Sequence, residues 1–100
     1  MKQNKVDSAI VYAQKTLDVY AENSKAIELL FNAYMQKRDV NSLVAYFQNA
    51  IKKYPASDAY YFYLGYAYAV SGNKNNAINT LNMAVYLNQN WYQPMNQILG

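Results

Sequence analysis

Apolar side chains recur every three or four residues along most of this chain, which is the spacing of one face of an α-helix. The first such stripe contains Val6, Ile10 and Leu17, and comparable stripes continue to the last residues. These stripes predict six helices, over residues 5–20, 24–37, 40–53, 58–71, 74–88 and 91–99. Residues 60–63 have high β propensity, but they lie within a helical stripe. The pattern therefore predicts an all-α protein.

The segments between the predicted helices contain residues that end or begin helices. Gly72 followed by Asn73 suits the left-handed backbone conformation that closes a helix. Pro55 pushes the residue before it out of the helical region, so a helix is expected to end there. Asp39, Asn41 and Asn73 are candidates to cap the helix that follows them.

The helical pattern repeats itself along the chain. A shift of 34 residues places Leu30 on Leu64 and Tyr34 on Tyr68, and the turn-like segments recur at the same spacing. Each period contains two helices. A single helix pair cannot bury its apolar face alone, so neighbouring pairs stack and share a continuous core. The sequence therefore predicts a tandem array of helix pairs.

One period, residues 58–91, carries a set of residues at characteristic spacings. They are Tyr61, Leu64, Gly65, Tyr68, Gly72, Ala77, Leu81 and Ala84. This pattern resembles the tetratricopeptide repeat, a helix-turn-helix unit of about 34 residues. Gln89 stands where Pro is usual, and in residues 24–57 Phe31 replaces a small residue and Leu43 replaces Ala. The resemblance implies a short right-handed α-solenoid.

The resemblance also implies that the chain is a single domain made of full and half repeats. The parts are a half repeat (second helix, 5–23), two full repeats (24–57 and 58–91) and a further half repeat (first helix, 92–100). Gly65, Ala77 and Ala84 lie where paired helices are expected to cross. Small residues there allow a close approach that larger side chains would prevent.

In the tetratricopeptide family the first helix of each pair lines a concave groove that receives a peptide or a partner helix. By position, the groove residues here are Lys25, Glu28, Asn32, Met35, Gln36, Ala59, Phe62, Tyr66, Ala69 and Val70. The first half of this set is mostly polar and the second half is aromatic or apolar. Aromatic residues dominate the binding energy of many interfaces, so the resemblance implies a protein-binding scaffold. The alternative is that Phe62 and Tyr66 pack against the next repeat.

The composition removes most catalytic chemistry. The chain has no Cys and no His, which excludes a thiol nucleophile, a His-based triad and a zinc site with nitrogen or sulfur ligands. Its three Gly residues are separated and cannot form a glycine-rich phosphate loop. We therefore expect that the protein is not an enzyme and that it has no catalytic, cofactor-binding or metal-binding residues.

The charge leaves a second class of partner open. The formal net charge is +3, which is low for a nucleic-acid-binding surface. Helical repeats can still bind single-stranded RNA by stacking bases on aromatic side chains beside basic ones, and Phe62, Tyr66 and Lys25 offer such a set. Glu28 in the same groove would repel phosphate, so we expect a protein partner. A regulatory fragment of a larger protein is a third possibility.

Targeting signals and membrane spans are not predicted. The first five residues are followed by an amphipathic stretch, unlike a signal peptide. The longest apolar run, residues 59–70, is about half of what a membrane span requires. We expect no membrane partner. The sequence does not define the compartment, and the cytoplasm is favoured.

Both ends of the chain resemble one half of a helix pair. The stripes there contain Val6, Ile10 and Leu17 at one end and Trp91, Met95, Ile98 and Leu99 at the other. Uncovered apolar stripes normally find a partner, so we expect self-association. Joining Gly100 of one chain to Met1 of another would leave the register about two residues short of a continuous period. A head-to-tail contact between chains gives a ring or a filament, and an exchange of terminal helices between two chains gives a closed dimer. The alternative to self-association is that the chain is a piece of a longer array.

Overall fold

Helices account for most of the chain, as the hydrophobic pattern predicts. The computed structural model describes residues 2–100, and Met1 lies outside them. Its helices are α1 Lys2–Val19, α2 Ser24–Lys37, α3 Val40–Lys53, α4 Asp58–Val70, α5 Lys74–Leu87 and α6 Tyr92–Leu99. A 3₁₀ turn, Gln89–Trp91, precedes α6, so the helix expected from residue 91 begins one residue later. No strand occurs within residues 2–100, and the all-α prediction is confirmed.

The predicted caps are confirmed in part. The carboxylate of Asp39 accepts the amide of Ser42 at 3.2 Å in the first turn of α3. Asn73 precedes α5, but its side chain accepts no capping hydrogen bond, and Asn41 lies inside α3. An additional cap comes from Asn23, which accepts the amide of Ala26 at 2.9 Å. Local capping chemistry thus defines where α2 and α3 begin.

The turns between helices repeat their backbone hydrogen bonds at the 34-residue spacing. After α2, the amide of Asp39 donates to the carbonyl of Tyr34 at 3.0 Å. After α4, the amide of Asn73 donates to the carbonyl of Tyr68 at 2.9 Å. In each case the bond spans a residue just after the helix, Arg38 or Gly72, that has a left-handed conformation. Equivalent residues of the two periods therefore form the same turn.

One side-chain contact recurs at the same spacing. The amide Nε2 of Gln14 donates to the hydroxyl of Tyr34 at 3.5 Å, which joins α1 to α2. The amide Nε2 of Gln48 donates to the hydroxyl of Tyr68 at 2.7 Å, which joins α3 to α4. The 34-residue period is thus a property of the packing as well as of the sequence.

Arg38 and Gly72 occupy the same left-handed position after α2 and α4, with φ of 59° and 85°. Side chains disfavour this conformation by roughly 1–2 kcal/mol, and Gly avoids the cost. We expect Arg38→Gly to raise the free energy of unfolding by about 0.5–1 kcal/mol, since greater freedom of Gly in the unfolded chain offsets part of the gain. Gly72→Ala should lower it by about 1 kcal/mol. Urea unfolding of both variants measures this, and a destabilised Arg38→Gly variant would contradict it.

Helix packing is closest between α4 and α5. At their crossing Gly65 lies directly on Leu81, where a Cβ atom on residue 65 would be 2.6 Å from Cγ of Leu81. The equivalent positions of α2 and α3 hold Phe31 and Phe47. These two helices pack less closely than α4 and α5, because two aromatic rings stand where the second repeat has Gly65 and Leu81. The close approach expected at Gly65 is therefore present in α4 and α5.

The apolar stripes at the two ends are covered within the chain, so the expectation that they are uncovered is wrong. Ile10 and Leu17 are buried in the same cluster as Ile27 of α2. Met95 is buried with Phe62 and with residues of α5. The other members of the two stripes, Val6, Trp91, Ile98 and Leu99, are half-buried against these clusters. A stripe predicts that one helix face is buried, but it does not identify the element that covers it.

Candidate functional site

The first helices of the repeats form one continuous surface. Helix α2 packs beside α4, and α4 packs beside α6. The ten residues that sequence analysis assigns to a groove all lie on α2 and α4, so they belong to adjacent helices. Helix α6 adds a third helix to this surface, which we call the first-helix surface.

The α2 part of the first-helix surface is polar. Lys25, Glu28, Asn32 and Gln36 are exposed, and Met35 is half-buried. These side chains offer charges and hydrogen bonds to a partner and little apolar area. They flank the aromatic part of the surface and do not line its cavity.

The α4 part of the first-helix surface is apolar. Ala59 and Phe62 are buried, Tyr66 and Ala69 are half-buried, and Val70 is 55% exposed. The apolar groups that a partner could touch are therefore mainly those of Tyr66, Ala69 and Val70.

Phe62 is part of the core that holds α6 in place. Its ring stacks on the indole of Trp91, with ring centroids 4.1 Å apart and an angle of 17° between the planes. Phe62 therefore packs inside the molecule, as in the alternative to partner binding, and only 4% of its surface is exposed. Tyr66 packs on Phe31 of α2 at a centroid distance of 4.6 Å and keeps part of its ring accessible.

A cavity of about 400 Å³ lies between α4 and α6. Its lining residues are Phe62, Tyr66, Ala69, Val70, Pro94, Gln97 and Ile98. None of them is charged, and they combine apolar side chains with the polar groups of Tyr66 and Gln97, so the cavity suits an uncharged group. Pro94 and Gln97 could not be predicted from the sequence, because their part in the site depends on how α6 packs on α4. Ile98, which was expected at a self-association contact, lies in the cavity wall.

Asp58 fixes the segment that leads into α6. Its carboxylate Oδ2 accepts Nε1–H of Trp91 at 2.7 Å and the side-chain amide of Asn88 at 2.9 Å. Partial burial acts to raise the pKa of this carboxyl, but the hydrogen bonds from Trp91, Asn88 and nearby backbone amides outweigh it and lower the pKa. Asp58 is therefore a carboxylate at neutral pH, and it positions one wall of the cavity through Trp91.

Tyr63, which lies beneath the first-helix surface, is neutral at physiological pH. Burial, with a contribution from the negative charge of Glu28, raises the pKa of Tyr63 to about 12. The Tyr63 ring lies between Phe31 and Phe62, at centroid distances of 5.2 and 5.0 Å. The negative charge of Glu28 thus lies close enough to this cluster to favour the neutral form of Tyr63.

A second cavity of about 400 Å³ lies on the other side of the molecule, between α1, α3 and α4. Its lining residues are Leu17, Asp18, Tyr46, Asn49, Ala50, Lys53, Tyr54 and Tyr60. The rings of Tyr54 and Tyr60 stack at 6.2 Å, and the hydroxyl of Tyr60 donates to the carbonyl of Ala21. This cavity marks the junction of two second helices, α1 and α3.

Comparison with known proteins adds no assignment, since no protein-family model and no curated protein sequence matches this chain. Over residues 2–100, no group of three or more potential metal-ligating side chains comes together. In the same part of the chain, no helix combines the length and hydrophobicity needed to cross a bilayer.

Proposed function

We propose that this chain is a non-catalytic protein-binding module of the tetratricopeptide-repeat type, which binds a peptide or a helix of a partner protein on its first-helix surface. The cavity between α4 and α6 is the observation that carries the proposal. Its volume of about 400 Å³ has room for a large side chain of a partner together with its neighbouring atoms, and no charged residue lines it. Tyr66 provides an aromatic wall, and such residues commonly dominate binding energy.

The neighbouring residues narrow the chemistry of the partner. Tyr66 contacts Phe31 of α2, so a peptide that leaves the cavity across Tyr66 next meets the polar residues of α2. Glu28 lies there and contributes a negative charge. The preferred ligand is therefore a large apolar residue followed by a basic one, with amide groups that can pair with Asn32.

Tyr66→Ala is expected to weaken peptide binding about tenfold or more, because it removes the aromatic wall of the cavity. Peptides are first selected from a random library displayed on phage, with the intact chain as target. Their dissociation constants are then measured for wild type and variant by fluorescence anisotropy. Tyr66 is half-buried, so circular dichroism and urea unfolding establish that the variant is folded at the temperature of the binding assay.

Tyr86→Ala is the matched control, since Tyr86 lies on α5 outside the cavity and is 81% exposed. It should leave the dissociation constant unchanged. A second variant, Val70→Lys, places a charge in the cavity wall and should also weaken binding. The proposal would be contradicted if both cavity variants bound the selected peptides as tightly as the wild type.

Single-stranded RNA binding is not favoured by the geometry. No basic side chain lines the cavity between α4 and α6, and Glu28 acts on the adjacent aromatic cluster. RNA binding would require retention of generic oligonucleotides that falls steeply with salt. If oligonucleotides are retained in this salt-dependent way and no peptide can be selected, the chain binds RNA and the peptide-binding proposal is wrong.

A further inference from the structure

The outer side of α1 exposes a patch of large apolar residues. Val11, Tyr12, Val19 and Tyr20 have 50%, 67%, 71% and 65% of their surface exposed. Single exposed apolar residues are ordinary, but a patch of four at one end of a small molecule is typical of an interaction surface. We call these four residues the head patch.

The equivalent patch one repeat later is partly covered inside the molecule. Tyr12 and Tyr20 correspond by the 34-residue shift to Tyr46 and Tyr54 of the α3 region. Both of these rings are half-buried and line the cavity between α1 and α3. The residues of α1 that share this cavity are Leu17 and Asp18. The chain therefore already contains one junction in which this pair of tyrosines faces a neighbouring second helix.

The opposite end of the molecule has the composition of an interface. Residues 75–100 contain no Asp, Glu, Lys or Arg, whereas solvated surfaces typically carry about 25–35% charged residues. Met83, Tyr86 and Tyr92 are exposed there, by 36%, 81% and 55%. Depletion of charge with enrichment of Tyr and Met is the compositional signature of interface centres. We call these three residues the tail patch.

One member of the tail patch, Tyr86, and its neighbour Val85 occupy the positions that α1 uses at the internal junction. Two periods separate Leu17 from Val85 and Asp18 from Tyr86. The side of α5 that contains Val85 and Tyr86 thus corresponds to the side of α1 that faces Tyr46. By the same correspondence, this side of α5 should face a helix that presents two tyrosines, as α3 presents Tyr46 and Tyr54 to α1. The head patch contains the equivalent tyrosines, Tyr12 and Tyr20.

We propose that the tail patch of one copy docks on the head patch of a second copy, which continues the α1–α3 junction from one molecule to the next. The occupant is a second copy because a single molecule carries both halves of this junction at opposite ends. The tail patch is uncharged and does not repel the head patch. Two different patches meet, so the contact is heterologous and gives open chains or rings.

Sedimentation velocity of the intact chain over a hundredfold range of concentration tests the proposal. The head variant carries Tyr12→Glu and Tyr20→Glu, and the tail variant carries Tyr86→Glu. All three residues are at least 65% exposed, so each variant should retain the helical circular dichroism of the wild type. Gln36→Glu on α2 is the control, because it adds one negative charge, as the tail variant does, at an exposed position outside both patches.

The mean mass of the wild type and of Gln36→Glu should rise with concentration, and each patch variant alone should remain a monomer. A mixture of the head and tail variants should form dimers and stop there, because it retains one intact pair of patches. A wild type that is monomeric throughout would overturn the proposal. Association that the mixture does not restore would also overturn it, since that result indicates a symmetric contact.

This inference is independent of the peptide-binding proposal, and the two can fail separately. Tyr66→Ala should leave the concentration dependence of the mass unchanged. The tail variant should bind the selected peptides with the affinity of the wild type.

Discussion

Replacing Gly65 with Ala is expected to lower the free energy of unfolding by about 1–3 kcal/mol, the usual cost of overpacking a core. The added Cβ would lie 2.6 Å from Cγ, 2.8 Å from Cδ2 and 3.1 Å from the backbone nitrogen of Leu81. Leu81 is fully buried and its backbone belongs to α5. The clash is therefore relieved by forcing the buried Leu81 side chain into a new position or by moving α4 and α5 apart, and these two helices form the closest pair in the fold.

Urea unfolding monitored by circular dichroism measures the effect of Gly65→Ala. Helix propensity alone predicts the opposite sign, because Ala stabilises a helix interior by about 1 kcal/mol relative to Gly. Leu81→Ala provides the control: alone it should cost about 2–5 kcal/mol by leaving a cavity. Added to Gly65→Ala, it removes the clash and should cost much less. A Gly65→Ala variant as stable as the wild type would contradict the close packing of α4 and α5.

Trp91→Ala is expected to lower the free energy of unfolding by about 3 kcal/mol and to separate α6 from α4. The variant loses the stacking of the indole on Phe62 at 4.1 Å and the hydrogen bond from Nε1 to Asp58 at 2.7 Å. The carboxylate of Asp58 then retains only Asn88 as a side-chain donor. Since α6 forms one wall of the cavity, Trp91→Ala should also abolish binding of the selected peptides.

Hydrogen exchange of the α6 amides, measured beside urea unfolding, tests this second expectation. Trp91→Phe is the control: it keeps an aromatic ring over Phe62 but removes the donor to Asp58, so it should cost only about 1–2 kcal/mol. Its α6 amides should remain protected. Wild-type protection of α6 in Trp91→Ala would show that Ile98 and Met95 alone hold this helix in place.

The helices and turns could be predicted from the sequence because local chemistry determines them. Apolar spacing defines each helix, and Pro55 and Gly72 lie at the predicted helix ends. The 3₁₀ turn before α6 was not predicted from the sequence. The side chain of Asn88 stabilises this turn by accepting the amide of Asn90 at 3.0 Å. The sequence around Arg38 does not predict its left-handed conformation. Only the equivalence of its position to that of Gly72 indicates this conformation.

The candidate site was predicted less completely because it depends on the packing of α6. The positions on α2 and α4 follow from the repeat, and they do share one surface. Phe62 lies in that set by position, yet Trp91 covers it. Pro94 and Gln97 join the cavity only through the docking of α6, which Asp58 and Trp91 determine. The terminal stripes likewise indicated buried faces without identifying the helices that bury them.

Hydrogen exchange of the intact chain with and without a selected peptide is the most direct test of protein binding on the first-helix surface. The proposed function predicts that the peptide increases protection in α4 and α6, with a smaller increase in α2, and leaves α1 and α3 unchanged. Protection confined to α1 and α3, around the cavity lined by Tyr46 and Tyr54, would contradict it and place the binding site on the opposite side of the molecule.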